Sequence, residues 1–499
     1  MESITHKFTR AVSYTFLGSV VARLCGVFIG VIIARSLGSS SLGLYAIVQS
    51  TIGLYATFFG LGLGLTATKM IAQHYVNSPE LIGRILGLLF LTLVLSIVFG
   101  LSIYLWSLPV LVKNIYSIPD LMDLLQIGLF WFAFMTLSQF IESVLVGFQA
   151  FKSQMFVTSI LSFFNLIVVL IVVFIDRNNI LQNLIIGGVI VAFVQSVLLL
   201  IYASKELIRY KTKLSLSNLK PLIQPVLFDF SAPAFIGKMM EQPLNWVSIL
   251  LLVKLGANIS NVGGLSVINN IKAWILYFPA MLVTVLVPIL TDIYHTKEKE
   301  VFQRTLILNQ KFLWLATLPV LVFLVTVIRL LIKSLFGNSY SDFWQPGALL
   351  LAWAVLIPIN EINDRAMISV GKMWLSLSFR MIYMILLLLT LILFIPKFQL
   401  SGYVFATGIS YLVYVFIQTW WLRKLTKGSI NSILSLMTFS VFVLSIAYFV
   451  AQFFTGYKSV FYGLLLFILT VVFEWKCLIS MEEKILTSNI VNKILRQKE

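Results

Sequence analysis

The chain has 499 residues, of which 60% are hydrophobic and only 11% charged, and it carries a mean hydropathy of +0.99 with a formal net charge of +17. Such values exclude a soluble globular fold. A transmembrane β-barrel is excluded as well, because its strands alternate apolar and polar residues and runs such as 384–394 show no alternation.

A spanning helix needs about 20 mostly apolar residues. About fourteen such stretches are predicted, near 11–34, 42–65, 82–106, 121–147, 154–175, 180–203, 226–253, 261–291, 305–332, 344–370, 374–395, 400–422, 431–453 and 458–477, which makes the chain an all-α polytopic membrane protein. The first stretch has a basic flank, Lys7 and Arg10, but it is longer than a signal-peptide core and no small-residue cleavage site follows, so it is expected to remain as the first helix. Arg23 lies at its middle. A cation at that depth costs roughly 2.5–3.5 kcal/mol even on lenient insertion scales, so it calls for a functional reason or a buried partner. Ser19, Arg23, Gly26 and Gly30 share one helical stripe, a small-residue face suited to packing or to a cavity. The fourth stretch contributes Glu142, a candidate ion-pair or ion-coupling acid.

Charges at membrane depth recur in the second half. Lys238 and Glu241 stand three apart on one helical face, so Lys238 either lines a cavity or is neutralised by its neighbour. Lys272 has no charged residue within a turn and stands beside a polar stripe of Ser266, Asn269, Asn270, Ala273 and Tyr277, which favours a cavity. Glu361 and Arg365 have the acid-first spacing of a structural pair, with Asp364 adjacent, and Arg380 lies two turns inside the eleventh stretch, within snorkelling reach of the surface. The candidate cationic cavity is thus Arg23, Lys238, Lys272, Arg365 and Arg380, and the candidate coupling or pairing acids are Glu142, Glu241, Glu361 and Asp364. Prolines 233, 243, 279, 288, 319 and 358 also concentrate here, so the second half is expected to bend more, with the seventh stretch as a broken helix.

The basic residues fall asymmetrically between successive loops. If both termini are cytoplasmic, the inner loops and the tail hold clusters such as Lys205, Arg209, Lys211, Lys213 and Lys220, whereas each outer loop holds about one cation. This is the positive-inside pattern, which accounts for the net charge without nucleic acid. No phosphate-binding glycine loop with a following Lys-Ser/Thr is present, His6, His74 and His295 fall in predicted cytoplasmic segments, and Cys25 and Cys477 suggest neither a disulfide framework nor a metal site. No cofactor, metal or catalytic group is expected, and the chain is read as a non-enzyme.

Two connections repeat. Arg35-Ser-Leu-Gly-Ser-Ser-Ser-Leu-Gly-Leu-Tyr45 joins the first two stretches, and Lys254-Leu-Gly-Ala-Asn-Ile-Ser-Asn-Val-Gly-Gly-Leu-Ser266 joins the seventh and eighth, each a cation, Leu-Gly, a polar stretch and a glycine-led helix start. Six intervening stretches give both copies the same direction, a parallel repeat of two six-helix lobes, and aligning Gly38 with Gly256 sets Arg23 against Glu241. The expected organisation is residues 1–210, 211–428, two additional helices within 429–480 that look like an appendage, and a cytoplasmic tail at 481–499.

The segment Ile33-Ala-Arg-Ser-Leu-Gly-Ser-Ser-Ser-Leu-Gly-Leu-Tyr-Ala46, Gly60-Leu-Gly-Leu, Val146-Gly-Phe-Gln-Ala150, Ser231-Ala-Pro-Ala, and Pro279 with Pro288 before a basic loop resemble, in this order, the polysaccharide and O-antigen flippases of the multidrug/oligosaccharidyl-lipid/polysaccharide exporter superfamily. The resemblance spans about the first twelve helices. It implies alternating access around a cationic cavity in the cytoplasmic membrane, and a substrate in which a glycan is carried on a polyprenyl phosphate or diphosphate. The implied partners are this lipid-linked glycan, membrane lipid, and glycosyltransferases or a polymerase of the same route, with the monomer as the working unit. Arginine suits such a substrate through its bidentate fork on phosphate oxygens, and lysine through its point charge. Two alternatives stay open: an exporter of the multidrug and toxin extrusion kind, and a membrane glycosyltransferase or polymerase, against which the short outer loops argue.

Overall fold

The computed structural model describes residues 4–74, 78–175, 179–232, 234–235, 239–255, 258–296, 299–423 and 429–478. Among them every regular element is helical, and ten helices are long and apolar enough to cross a membrane. Two of these, Gly18–Phe59 and Met373–Leu422, run to 42 and 50 residues. At 1.5 Å per residue a helix of that length would exceed 60 Å, about twice the hydrocarbon core, so each must hold two spans. Each is broken at one residue, the first at Gly38 (φ 73°, ψ 174°) and the second at Gln399 (φ 51°, ψ −124°). Glycine takes the first conformation without a Cβ penalty. With these breaks, each of the fourteen predicted stretches contains a helix.

The chain forms two compact units, Met1–Val267 and Ile268–Glu499. The first contains α1 (Ile4–Phe59), α2 (Leu63–His74), α3 (Pro79–Pro109), α4 (Leu121–Gly147), α5 (Phe151–Ile175), α6 (Ile180–Arg209), the short α7 (Lys220–Ile223) and α8 (Glu241–Lys254). In it α1 packs along α5 and α4, α4 also packs along α6 and α2, and α8 lies against α1. Its apolar core gathers Leu63, Ala67, Ile71, Ile85, Leu89, Phe140, Val144 and Phe148 from α2, α3, α4 and the turn after α4. On α5 the large residues point the other way: Phe156, Ile160, Phe163, Ile167, Ile171 and Phe174 recur every three or four positions and are exposed, the stripe expected of a helix facing lipid.

The seventh predicted stretch is not one helix. A π-helical turn at Gln224–Ser231 follows α7, Ala232, Ala234 and Phe235 are helical, and Met239 and Met240 form a turn before α8. Glu241 is an exposed residue in the first turn of α8, where its charge suits the positive end of the helix dipole.

The boundary between the units falls within α9 (Ile259–Thr296). The second unit continues with α10 (Lys299–Leu331), α11 (Trp344–Trp353), α12 (Leu356–Ser369), α13 (Met373–Leu422), α14 (Ser429–Phe453) and α15 (Tyr457–Phe473). Here α10 is central: α11, α12, α14 and α15 all pack on it, while α12 packs on α13. The last two helices pack on α10 within this unit. The indole Nε1 of Trp314 donates to Ser440 Oγ at 2.7 Å, and Gly463 lets α15 approach Phe323 and Val327.

Candidate functional site

Within the first unit, described residues of the stretch 220–267 meet the second span of α1, α2 and the turn after α3 at several points. At one end the hydroxyls of Thr66 and Ser231, both buried, lie 2.6 Å apart. Beside them the Lys69 ammonium sits 3.8 Å from the ring centre of Phe230, and Gly62 fits against the backbone of Ser231 and Phe235. Midway, Trp246 Nε1 donates to Thr51 Oγ1 at 3.2 Å. Toward the other end, Lys254 Nζ donates to the Asn114 carbonyl at 2.9 Å. There Gly43 meets the Ile259 carbonyl and Gly263 meets the Ser39 carbonyl so closely that a Cβ on either glycine would collide with backbone. The two glycine-led helix starts picked out by the repeat are therefore direct neighbours.

Of the predicted residues in this unit, Arg23 is half-buried and one turn from Gly26, whose missing Cβ would meet nothing within 4 Å. Glu142 accepts a hydrogen bond from Gln154 Nε2 at 2.9 Å and so ties α4 to α5. Lys238 lies outside the described residues.

In the second unit the charges separate into three kinds. Lys272 on α9 is half-buried, and its ammonium has no hydrogen-bond or ion-pair partner among the described residues. Arg365 and Glu361 stand 3.9 Å apart with 39% and 45% of their side chains exposed, a loose surface-type pair. Arg380 is partly exposed and also paired. Its Nη2 lies 3.1 Å from Asp364 Oδ2, because α13 packs on α12 and brings the guanidinium beside a carboxylate that is only 7% exposed. The same carboxylate receives Ser376 Oγ at 2.7 Å and Gln418 Nε2 at 2.9 Å on Oδ1, and Tyr414 OH at 3.3 Å from Oδ2. One residue earlier, Asn363 accepts from Gln310 Nε2 at 2.6 Å and donates to Thr419 at 3.2 Å. Tyr383 stacks on Tyr414 and meets Tyr411 edge-on, closing an aromatic wall around this network.

Ser376, Tyr414 and Gln418 carried no signal in the sequence, being neutral residues 12 to 54 positions from Asp364. Thr66 and Ser231 were equally silent. Glu474, inside the last apolar stretch, is a further buried acid, with Oε1 unpaired among the described residues. Among the described residues no three His, Cys, Asp or Glu side chains gather as a metal site.

Against known families, a model described as "Polysaccharide biosynthesis protein" matches residues 8–294. The chain belongs to this family. No curated protein sequence matches it. Among solved structures, the lipid II flippase MurJ in an inward closed conformation aligns with a TM-score of 0.71 at 16% identity, covering 93% of this chain and 99% of that one. An inward-facing multidrug resistance MATE family transporter of the MOP superfamily aligns at 0.67 and 14% identity over 82% of this chain and 97% of its own. A MOP superfamily transporter from Pyrococcus furiosus aligns at 0.59 and 14% identity, covering 84% and 95%. At these identities the likeness is one of fold: an all-α polytopic membrane protein built as the MOP transporters are.

Proposed function

We propose that the chain is a transporter that flips an oligosaccharide linked to polyprenyl phosphate or diphosphate across the cytoplasmic membrane by alternating access, for the assembly of a surface glycan. The observation that carries this reading is Lys272, a half-buried ammonium on an apolar helix without an acidic partner among the described residues. An unpaired cation there is unfavourable unless something anionic visits it. Asn269, Asn270 and Tyr277, half-buried on the same helix, are the neutral donors a hydroxyl-rich glycan would use. Arg23, half-buried beside the open face of Gly26, is the corresponding cation of the first unit.

In this reading the moving halves are the repeats, 1–210 and 211–428, and both termini face the cytoplasm, a direction the positive-inside pattern of the loops supports. The stretch 220–267 shares a compact unit with the first repeat because Thr66 with Ser231 and Gly43 with Ile259 are engaged together, the arrangement of a state closed at both ends. Opening toward either side parts one end of this seam and keeps the other. Family membership in polysaccharide biosynthesis supports glycan as cargo. The MATE-like fold supports a second reading, export of small cationic or amphipathic compounds.

Leaflet-resolved labelling of the glycan-lipid in cells with and without the protein separates the two. Accumulation on the cytoplasmic leaflet when the protein is missing supports flipping. Unchanged leaflet distribution, together with drug resistance on expression, supports the exporter.

A further inference from the structure

The Asp364 cluster has an asymmetry that an ordinary buried ion pair lacks. The carboxylate is 7% exposed, while its cationic partner, Arg380, is 34% exposed. The anion is also held by three neutral donors from two other places in the chain, Ser376 on Oδ1, Gln418 on Oδ1 and Tyr414 at 3.3–3.4 Å from both oxygens. A carboxylate that loses its only partner in a low-dielectric site is left at great cost, but one that keeps three hydrogen bonds is not. Arg380 can therefore leave Asp364 without stranding it, and Arg380 is the member of the pair that reaches an accessible surface. Its planar fork suits phosphoryl oxygens as well as it suits a carboxylate. The aromatic wall of Tyr383, Tyr411 and Tyr414 flanks the position and limits where the side chain can swing.

We propose that Arg380 is an exchanging cation: Asp364 holds it in the empty transporter and gives it up to a phosphoryl group of the incoming lipid-linked substrate, while Ser376, Gln418 and Tyr414 keep the carboxylate in place. This rests on the flippase reading and adds to it a second-unit anion site with a built-in competitor. The competitor makes release possible, because Asp364 takes the guanidinium back when the substrate departs. A purely attractive cation would hold a diphosphate too long for turnover.

The test uses the full-length protein in lipid nanodiscs and measures binding of farnesyl diphosphate, a soluble prenyl diphosphate, with farnesol as the uncharged control. Wild type is expected to bind the diphosphate in preference to the alcohol. Asp364→Asn removes the competing charge and should tighten diphosphate binding about fivefold or more, within the usual range of coupling between sites, while slowing transport. Arg380→Gln should weaken diphosphate binding by a similar factor. Ser376→Ala, which makes Asp364 depend more on Arg380, should weaken it about twofold, near 0.4 kcal/mol by the tenfold-per-1.4 conversion, a change that a merely structural salt bridge would not produce. If wild type binds the diphosphate but Asp364→Asn and Ser376→Ala leave its affinity unchanged, the exchange is wrong and the flippase reading stands. If wild type prefers a cationic dye and ignores the diphosphate, the flippase reading itself fails and the exchange fails with it.

Discussion

The hydroxyls of Thr66 and Ser231 touch at 2.6 Å although 165 positions separate them in the chain. Thr66 stands on the first turn of α2, and Ser231 ends the π-helical turn that precedes the break in the seventh stretch. A loose backbone on one side and a short helix on the other make this an interface that can part without unfolding either element. In a double variant, Thr66→Cys with Ser231→Cys, a mild oxidant should form a disulfide, since the hydroxyl oxygens already lie close to sulfur–sulfur bonding distance. Transport measured by leaflet-resolved labelling should then fall to background and return on reduction. Full transport by the cross-linked protein would show that this end of the seam does not open.

At the opposite end, Gly43 and Gly263 allow backbone-to-backbone approach. Gly43→Leu cannot be accommodated without moving α1 away from Ile259. Overpacking of this sort costs about 1–3 kcal/mol, and it should show as a lowered thermal midpoint in detergent together with greater reactivity of a cysteine placed at Ser39. A stable variant with unreactive Ser39→Cys would refute the close approach.

Lys272→Met offers the sharpest separation of stability from function. Removing an ammonium that has no acidic partner takes away a desolvation cost, so thermal stability should stay level or rise by about 1–3 kcal/mol. Glycan-lipid flipping should fall severely all the same, and Lys272→Arg should retain part of it. Loss of stability in parallel with transport would assign Lys272 to the scaffold.

Two arginine pairs on neighbouring helices should behave differently. Arg365→Ala breaks an exposed pair at 3.9 Å and should cost under about 1 kcal/mol. Asp364→Ala leaves Arg380, Ser376, Gln418 and Tyr414 without their common acceptor and should cost about 3–5 kcal/mol. Urea or thermal denaturation in detergent, read by tryptophan fluorescence, tells them apart; equal effects would contradict the network.

Much of the fold was legible because the bilayer imposes one rule on every span. Each must be about 20 apolar residues long with its backbone bonded internally. Composition and run length therefore mark the helices, and the spread of lysine and arginine suggests their direction. The seventh stretch is interrupted at Met239 and Met240, and the sequence places two prolines in it, residues that remove a ladder hydrogen bond within a helix.

The site was less legible. Arg23, Lys272 and Asp364 stand out in sequence because charge is rare in an apolar run. Their partners do not, since serine, tyrosine and glutamine are common and carry no mark of direction. Arg380 looked like a snorkelling residue from its distance to the helix end, and only the packing of α13 on α12 turned it toward Asp364.

By itself, then, the sequence determined that this is a helical membrane bundle and marked its apolar stretches and the charges within them, because hydropathy and charge act on each segment separately. Tertiary structure alone decided which helix faces which: that Ser231 seals Thr66, that Gly43 lies on Ile259, and that Asp364 is shared by Arg380, Ser376, Tyr414 and Gln418. In a bilayer the hydrophobic effect does not choose helix neighbours. Close packing and hydrogen bonding do, and both depend on residues far apart in the chain.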